Sequence, residues 1–196
     1  LQVTSSLLLM QAAKFDDPEV QAAFHETQER LRSIALVHET LYQAETAAHI
    51  DLGTYVRRLV DGVADTYGAT ARHIEVSVAA EPVALSLERA VPFALVLTEV
   101  ATNAFKHAFR GRDGGHIAVS VGPGGGPGGG PNGGGLELCV RDDGRGMPEG
   151  AEAGASLGLT LIRALANQLD ATIAFRNEGG TVFRMHIPDE DSKAPT

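Results

Sequence analysis

Glu99, Asn103 and Lys106 put a carboxylate, a carboxamide and an ammonium into an otherwise apolar run, Leu97-Thr-Glu-Val-Ala-Thr-Asn-Ala-Phe-Lys-His-Ala108. Their successive spacings are four and three residues. On an α-helix that spacing stacks side chains on one face, one turn apart. The neighbours are Leu, Val, Ala and Phe, so the run predicts a core helix with a single polar stripe. Burying such a stripe without partners is costly. A metal ion and a polyphosphate would supply the partners: Asn and Glu offer the oxygen ligands that Mg²⁺ prefers, and Lys suits phosphate oxygens.

Three later segments carry the remaining chemistry. Asp142-Asp-Gly-Arg-Gly146 closes an apolar strand. A carboxylate at a strand end can accept a hydrogen bond from an exocyclic amine such as adenine N6, and Gly144 and Gly146 let the backbone turn and approach a ligand. The same residues also make an ordinary capped turn. Ser156-Leu-Gly-Leu-Thr160 opens a helix after a small-residue lead-in, leaving N–H groups free for an anion; Gly158 would equally serve tight packing. Gly179-Gly-Thr-Val-Phe183 turns into a last strand and, taken alone, is an ordinary hairpin.

The elements that must position these residues follow from periodicity. Leu1 to about Ala13 is helical in pattern. Asp17 reads as an N-cap with Pro18 at the first position of a second helix to about Ala44. That helix carries a heptad seam of Val20, Phe24, Thr27, Leu31, Ile34, His38 and Leu41. Two helices cannot hide such seams alone, so a second copy completing a four-helix bundle is the simplest cover. Asp51 caps a helix that Gly68 ends. His73–Val78, Val83–Leu87, His116–Val121, Leu136–Val140, Ala171–Phe175 and Thr181–Ile187 read as strands, with helices over 88–109 and 157–169. The segment 122–135 holds ten of the 23 glycines but no Lys, Ser or Thr, so it reads as a hairpin connector rather than a phosphate loop. Asp189–Thr196 reads as a tail.

The 196 residues suffice for one good core plus a helical appendage. A net charge of −9 argues against general binding to nucleic acid or a membrane surface. The single cysteine, Cys139, cannot form an internal disulfide, reads as a small buried side chain, and suits a reducing cytoplasm. No apolar run approaches the roughly 18 residues of a membrane span, so no direct membrane insertion is expected. The histidines make no convincing zinc spacing.

In their order along the chain, the four segments resemble the N, G1, G2 and terminal Gly-Thr boxes of the Bergerat ATP-binding fold, shared by gyrase, a heat-shock chaperone, histidine kinases and mismatch-repair ATPases. Leu1-Gln-Val-Thr-Ser-Ser-Leu, Asp16-Asp-Pro-Glu-Val, Arg30-Leu-Arg-Ser-Ile-Ala-Leu-Val-His-Glu-Thr-Leu-Tyr42 and Asp51-Leu-Gly-Thr-Tyr resemble the dimerisation helices of bacterial sensor histidine kinases related to the His-Trp-Glu (HWE) kinases. The chain has no Trp, so the Trp-x-Glu signature of strict HWE kinases is absent.

The resemblance implies an α+β protein: a helical hairpin over 1–50 for dimerisation and phosphotransfer, an α/β sandwich of the Bergerat ATPase type over 51–189, and a tail over 190–196. It implies ATP and Mg²⁺ as cofactors. Glu99 would orient or activate the attacking imidazole, or a water on the metal. Asn103 would ligate Mg²⁺, and Lys106 and His107 would touch phosphate oxygens. Asp142 would read adenine, with Gly144 and Gly146 shaping the pocket. Gly158 would start the helix that faces the phosphates, with Leu159 next to it also in contact with the cofactor, and Thr181 would support the adenine water network. The γ-phosphoryl would pass to a histidine and then to an Asp on a response-regulator receiver domain, in the cytoplasm, with the chain a homodimer through its hairpin or a monomer as in some relatives. The resemblance puts the acceptor histidine one to two helical turns before Leu1. His38 is the internal candidate, although its seam position better suits a register-setting polar residue. A serine kinase of the anti-sigma type shares the fold but lacks this hairpin; a phosphotransfer scaffold with a vestigial ATP site would lose the polar stripe.

Overall fold

A computed structural model describes residues 49–124, 134–148 and 157–189, together with Met10, Phe15, Asp17, Val20, Gln21, Phe24, Thr27, Gln28 and Ala35. Most of the expected hairpin helices, the seam residues Leu31, Ile34, His38 and Leu41, and most of the glycine-rich connector lie outside the described residues. Within that first region, Gln21 N–H donates to Asp17 O at 3.0 Å, the first bond expected of a helix capped by Asp17.

Strand β1 (His49–Asp51) leads into helix α1 (Leu52–Thr66). Asp51 caps α1 as its sequence requires, accepting from Gly53 N at 3.1 Å and from the Thr54 hydroxyl at 2.7 Å. Gly68, with φ +63°, takes the left-handed conformation just past its end. After a 3₁₀ turn at Thr70–Arg72 come β2 (Ile74–Ala80), β3 (Ala84–Ser86) and α2 (Leu87–Asn103). A π-helical turn over Ala104–Ala108 prolongs α2. Strands β4 (Gly115–Pro123) and β5 (Leu136–Asp142), helix α3 (Leu157–Gln168), and strands β6 (Thr172–Asn177) and β7 (Thr181–Ile187) complete the chain. β1 was not foreseen: three residues show no alternation, and only pairing with β3 defines it.

The main sheet has the order β2-β4-β5-β7-β6. β2 and β4 are parallel, as the crossover through α2 demands, and the other neighbours are antiparallel. One row crosses all five strands: Val78, Val119, Val140, Phe183 and Phe175 sit opposite one another in turn. The helices pack on this side, α2 contacting both α1 and α3. Phe93, Phe105, Ile117, Leu138, Ile162 and Met185 are fully buried between the layers. Cys139 corrects one expectation. Leu138 and Val140 take the core side, so the two-residue period turns Cys139 to the opposite face, where it is half-buried, with desolvation raising its thiol pKa. Among the described residues no helix is long and apolar enough to cross a membrane.

Candidate functional site

The α2 run is helical as expected, but it does not keep a straight polar stripe. It is α-helical only to Asn103 and then widens into the π turn, rather than continuing regularly to Phe109. A π turn bonds i to i+5, so side chains beyond it are rotated relative to a continuous α-helix. Two outside groups hold the carbonyls that this widening changes. Arg72 Nη1 donates to Phe105 O at 2.9 Å, and Arg145 N donates to Ala108 O at 3.1 Å. The Tyr67 ring stacks on Phe105 with centroids 5.9 Å apart and planes 8° from parallel.

A cavity of about 410 Å³ opens beside this turn. Asn103, Ala104, His107 and Ala108 form one side; Val140, Asp142, Arg145, Gly146, Met147 and Pro148 continue the wall, and Leu159, Phe175, Thr181 and Phe183 close it. Phe175 and Phe183 meet at 4.9 Å with a 52° tilt, giving the cavity an aromatic side. The lining is therefore mainly apolar with a few convergent polar groups, the composition of a small-molecule site.

The six expected residues Asn103, His107, Asp142, Gly146, Leu159 and Thr181 come together on this wall. Glu99, Lys106, Gly144 and Gly158 are not on it. Glu99 lies one helical turn before Asn103 and is buried. The Lys106 ammonium is 5.8 Å from the centroid of the Tyr67 ring, a cation–π arrangement, so the single stripe expected for Glu99, Asn103 and Lys106 is divided by the π turn. Gly144 supports the wall from behind: a Cβ there would approach Ala108 O within 2.5 Å. Gly158 is buried in the first turn of α3.

Asp142 is the most constrained polar group. Strand β5 places Leu136, Leu138 and Val140 toward the core, and the same period carries Asp142 to that face, leaving it 4% exposed. Its Oδ1 accepts from Gly144 N at 2.9 Å and from Thr181 N at 3.0 Å. No described residue donates to Oδ2, and Asp142 lines the cavity, so this oxygen of a largely buried residue keeps hydrogen-bonding capacity at the wall. Gly180, with φ +144°, lets the turn before Thr181 pass directly against the Asp142 carbonyl, a space that a Cβ would fill.

Several wall residues were not singled out from sequence. Arg145 stands inside the Asp-Asp-Gly-Arg-Gly motif, whose spacing by itself marks only the Asp and the glycines. Phe175, Phe183 and Met147 read as ordinary apolar positions. Among the described residues no cluster of three or more His, Cys, Asp or Glu is arranged for a metal. A Mg²⁺ held by one side-chain oxygen and substrate phosphates needs no such cluster.

Comparison with known proteins gives the family and the fold. Residues 1–67 match the model of a family described as histidine kinase. Residues 88–191 match that of the histidine kinase-, DNA gyrase B-, and HSP90-like ATPases. The first range includes α1, which packs against β2 and α2 of the sheet layer. The sensor histidine kinase PdtaS of Mycobacterium tuberculosis is 30% identical over 193 residues, covering 96% of this chain and 37% of the relative. Blue-light-activated histidine kinase 2 of Erythrobacter litoralis is 29% identical over 181 residues, covering 89% of this chain and 50% of the relative. The chain thus spans half or less of these relatives' length. Among solved structures, the kinase domain of the blue-light activated histidine kinase from Erythrobacter litoralis superposes with a TM-score of 0.69 at 24% identity, covering 94% of each chain. A longer structure of that protein gives 0.67 at 28% identity, covering 83% of this chain and 54% of the other.

Proposed function

This chain belongs to the family of histidine kinase-, DNA gyrase B-, and HSP90-like ATPases and carries a histidine kinase region ahead of its ATPase fold, and from that premise we propose that it binds Mg–ATP in the cavity beside Asp142 and passes the γ-phosphoryl to a histidine. From there the phosphoryl goes to an aspartate of a response-regulator receiver domain. The relatives PdtaS and the blue-light-activated kinase bear the name histidine kinase, which supports the reading.

The observation that carries it is Asp142 Oδ2. A buried carboxylate with one oxygen doubly satisfied and the other keeping hydrogen-bonding capacity at the wall of an apolar, aromatic-sided cavity suits a planar heterocycle bearing an exocyclic amine. Adenine has that pattern.

Residues at the other part of the wall suit the phosphates. Asn103 offers a carboxamide oxygen that would hold Mg²⁺, and the ion would neutralise phosphate charge. His107 and Arg145 supply side chains that can donate to phosphate oxygens. Glu99, one turn behind Asn103, would orient the acceptor imidazole. Lys106 would have to leave the Tyr67 ring to reach phosphate, so Arg145 is the better-placed cation. The chain's work is then positioning and charge neutralisation. The helices of the first region would pair with a second copy, in the cytoplasm.

Calorimetric titration of the chain with ATP, with and without Mg²⁺, tests the proposal. Saturable binding that strengthens with Mg²⁺ is expected, and no affinity for ATP or adenosine would refute it.

A further inference from the structure

Asn177 makes a bond pattern that the nucleotide reading leaves unused. Its Oδ1 accepts from Met147 N at 2.9 Å, and its Nδ2 donates to Met147 O at 2.8 Å. One side chain thus clamps both backbone polar groups of a cavity-wall residue thirty positions away. The clamp also explains Gly146: at φ +76°, a Cβ there would come within 2.9 Å of Asn177 Oδ1.

The location of the clamp gives it meaning. Asn177 is the register partner of Thr181 across β6 and β7, and Thr181 N is bonded to Asp142 Oδ1. The segment from Asp142 to Met147 is therefore fastened at both ends to one cross-strand pair. In between, it is held by Asp143 N to His116 O at 3.2 Å and Arg145 N to Ala108 O at 3.1 Å. Asn177 also lies two residues after Phe175, another wall residue, on the same strand.

We propose that Asn177 is a positioning residue for nucleotide binding: through Met147 it sets the width of the slot beside Asp142 that receives the purine. This rests on the reading of the cavity as a nucleotide site and assigns the clamp to its base-binding part. Because the clamp touches the wall beside Asp142, its loss weakens binding of adenosine and of ATP by the same factor.

Titration calorimetry on the whole chain tests this with adenosine and Mg–ATP as probes. Asn177→Ala is expected to lower both affinities by a common factor of up to roughly tenfold, because the unclamped wall must be re-ordered on binding at a cost bounded by the two lost hydrogen bonds. Asn177→Asp supplies the control for folding. Its protonated carboxyl can accept from Met147 N and donate to Met147 O, whereas the carboxylate repels that carbonyl. Adenosine affinity of Asn177→Asp, taken relative to the native chain at each pH, should recover as pH falls through the carboxyl's titration. Equal affinities in the native chain and Asn177→Ala, a loss confined to ATP, or a pH-independent deficit in Asn177→Asp would overturn the clamp's role. Absence of binding in the native chain would instead refute the nucleotide reading itself.

Discussion

Asp142 Oδ1 accepts the N–H of Thr181 one step beyond Arg141↔Val182, the last pair of the β5–β7 ladder. The carboxylate thus extends the sheet by one side-chain bond, while its second oxygen keeps hydrogen-bonding capacity at the cavity wall. Both tasks depend on one residue, and they can be separated. Asparagine keeps the shape and an acceptor for Thr181 and Gly144, but turns a donor toward the base. Asp142→Asn is expected to keep the fold and weaken adenosine and ATP alike by about 1–3 kcal/mol. Calorimetry beside a thermal melt measures both.

Asn103 ends the α-helical part of α2 at the cavity wall. Asn103→Ala should remove the Mg²⁺-dependent part of ATP affinity, leave adenosine affinity unchanged, and abolish phosphoryl transfer. The check is a pair of ATP titrations with Mg²⁺ and with chelator, followed by a labelled-ATP transfer assay to a domain bearing the acceptor histidine. Unaltered Mg²⁺ dependence would remove Asn103 from the metal site.

The π turn has its own support in the Arg72 guanidinium on Phe105 O. Arg72→Met keeps the alkyl stem and deletes the donor, leaving a part-buried carbonyl unpaired. A loss of about 1–3 kcal/mol in urea-induced unfolding is expected. A change within experimental error would mean that the Tyr67–Phe105 stack holds the turn without help.

The cap of α1 gives a pH-dependent prediction. The Thr54 hydroxyl above all, with backbone N–H groups of Gly53 and Thr54, holds the Asp51 carboxyl below its ordinary pKa against a smaller opposing desolvation. Because the folded value is depressed, the stabilisation is present above the ordinary carboxylate pKa and disappears as pH falls through the lower folded value. Asp51→Ala should cost about 1 kcal/mol at neutral pH. The stability difference from the native chain should close in acid, read from denaturant midpoints across that range; a gap that persists there would exclude the carboxylate as its source.

Much of the architecture is legible from local pattern. The alternation of Leu136, Leu138 and Val140 and the cap at Asp51 are short-range statements, and the structure agrees with them. The same period, carried one step further, would have marked Asp142 as a core-facing carboxylate. β1 has no such local signal, because its three residues become a strand only against Ala84–Ser86.

The sequence by itself determined the order of the helices and of every strand but β1, the residue types expected at the site, and the family those boxes resemble, because periodicity and glycine placement act over a few residues. Tertiary structure alone decided that the polar stripe of Glu99, Asn103 and Lys106 would be divided. The π turn is held by Arg72 and Arg145 from distant parts of the chain, and Lys106 finds its partner in Tyr67. It likewise decided that Asn177 would grip Met147, because hydrogen bonds between residues thirty positions apart have no periodic trace in sequence.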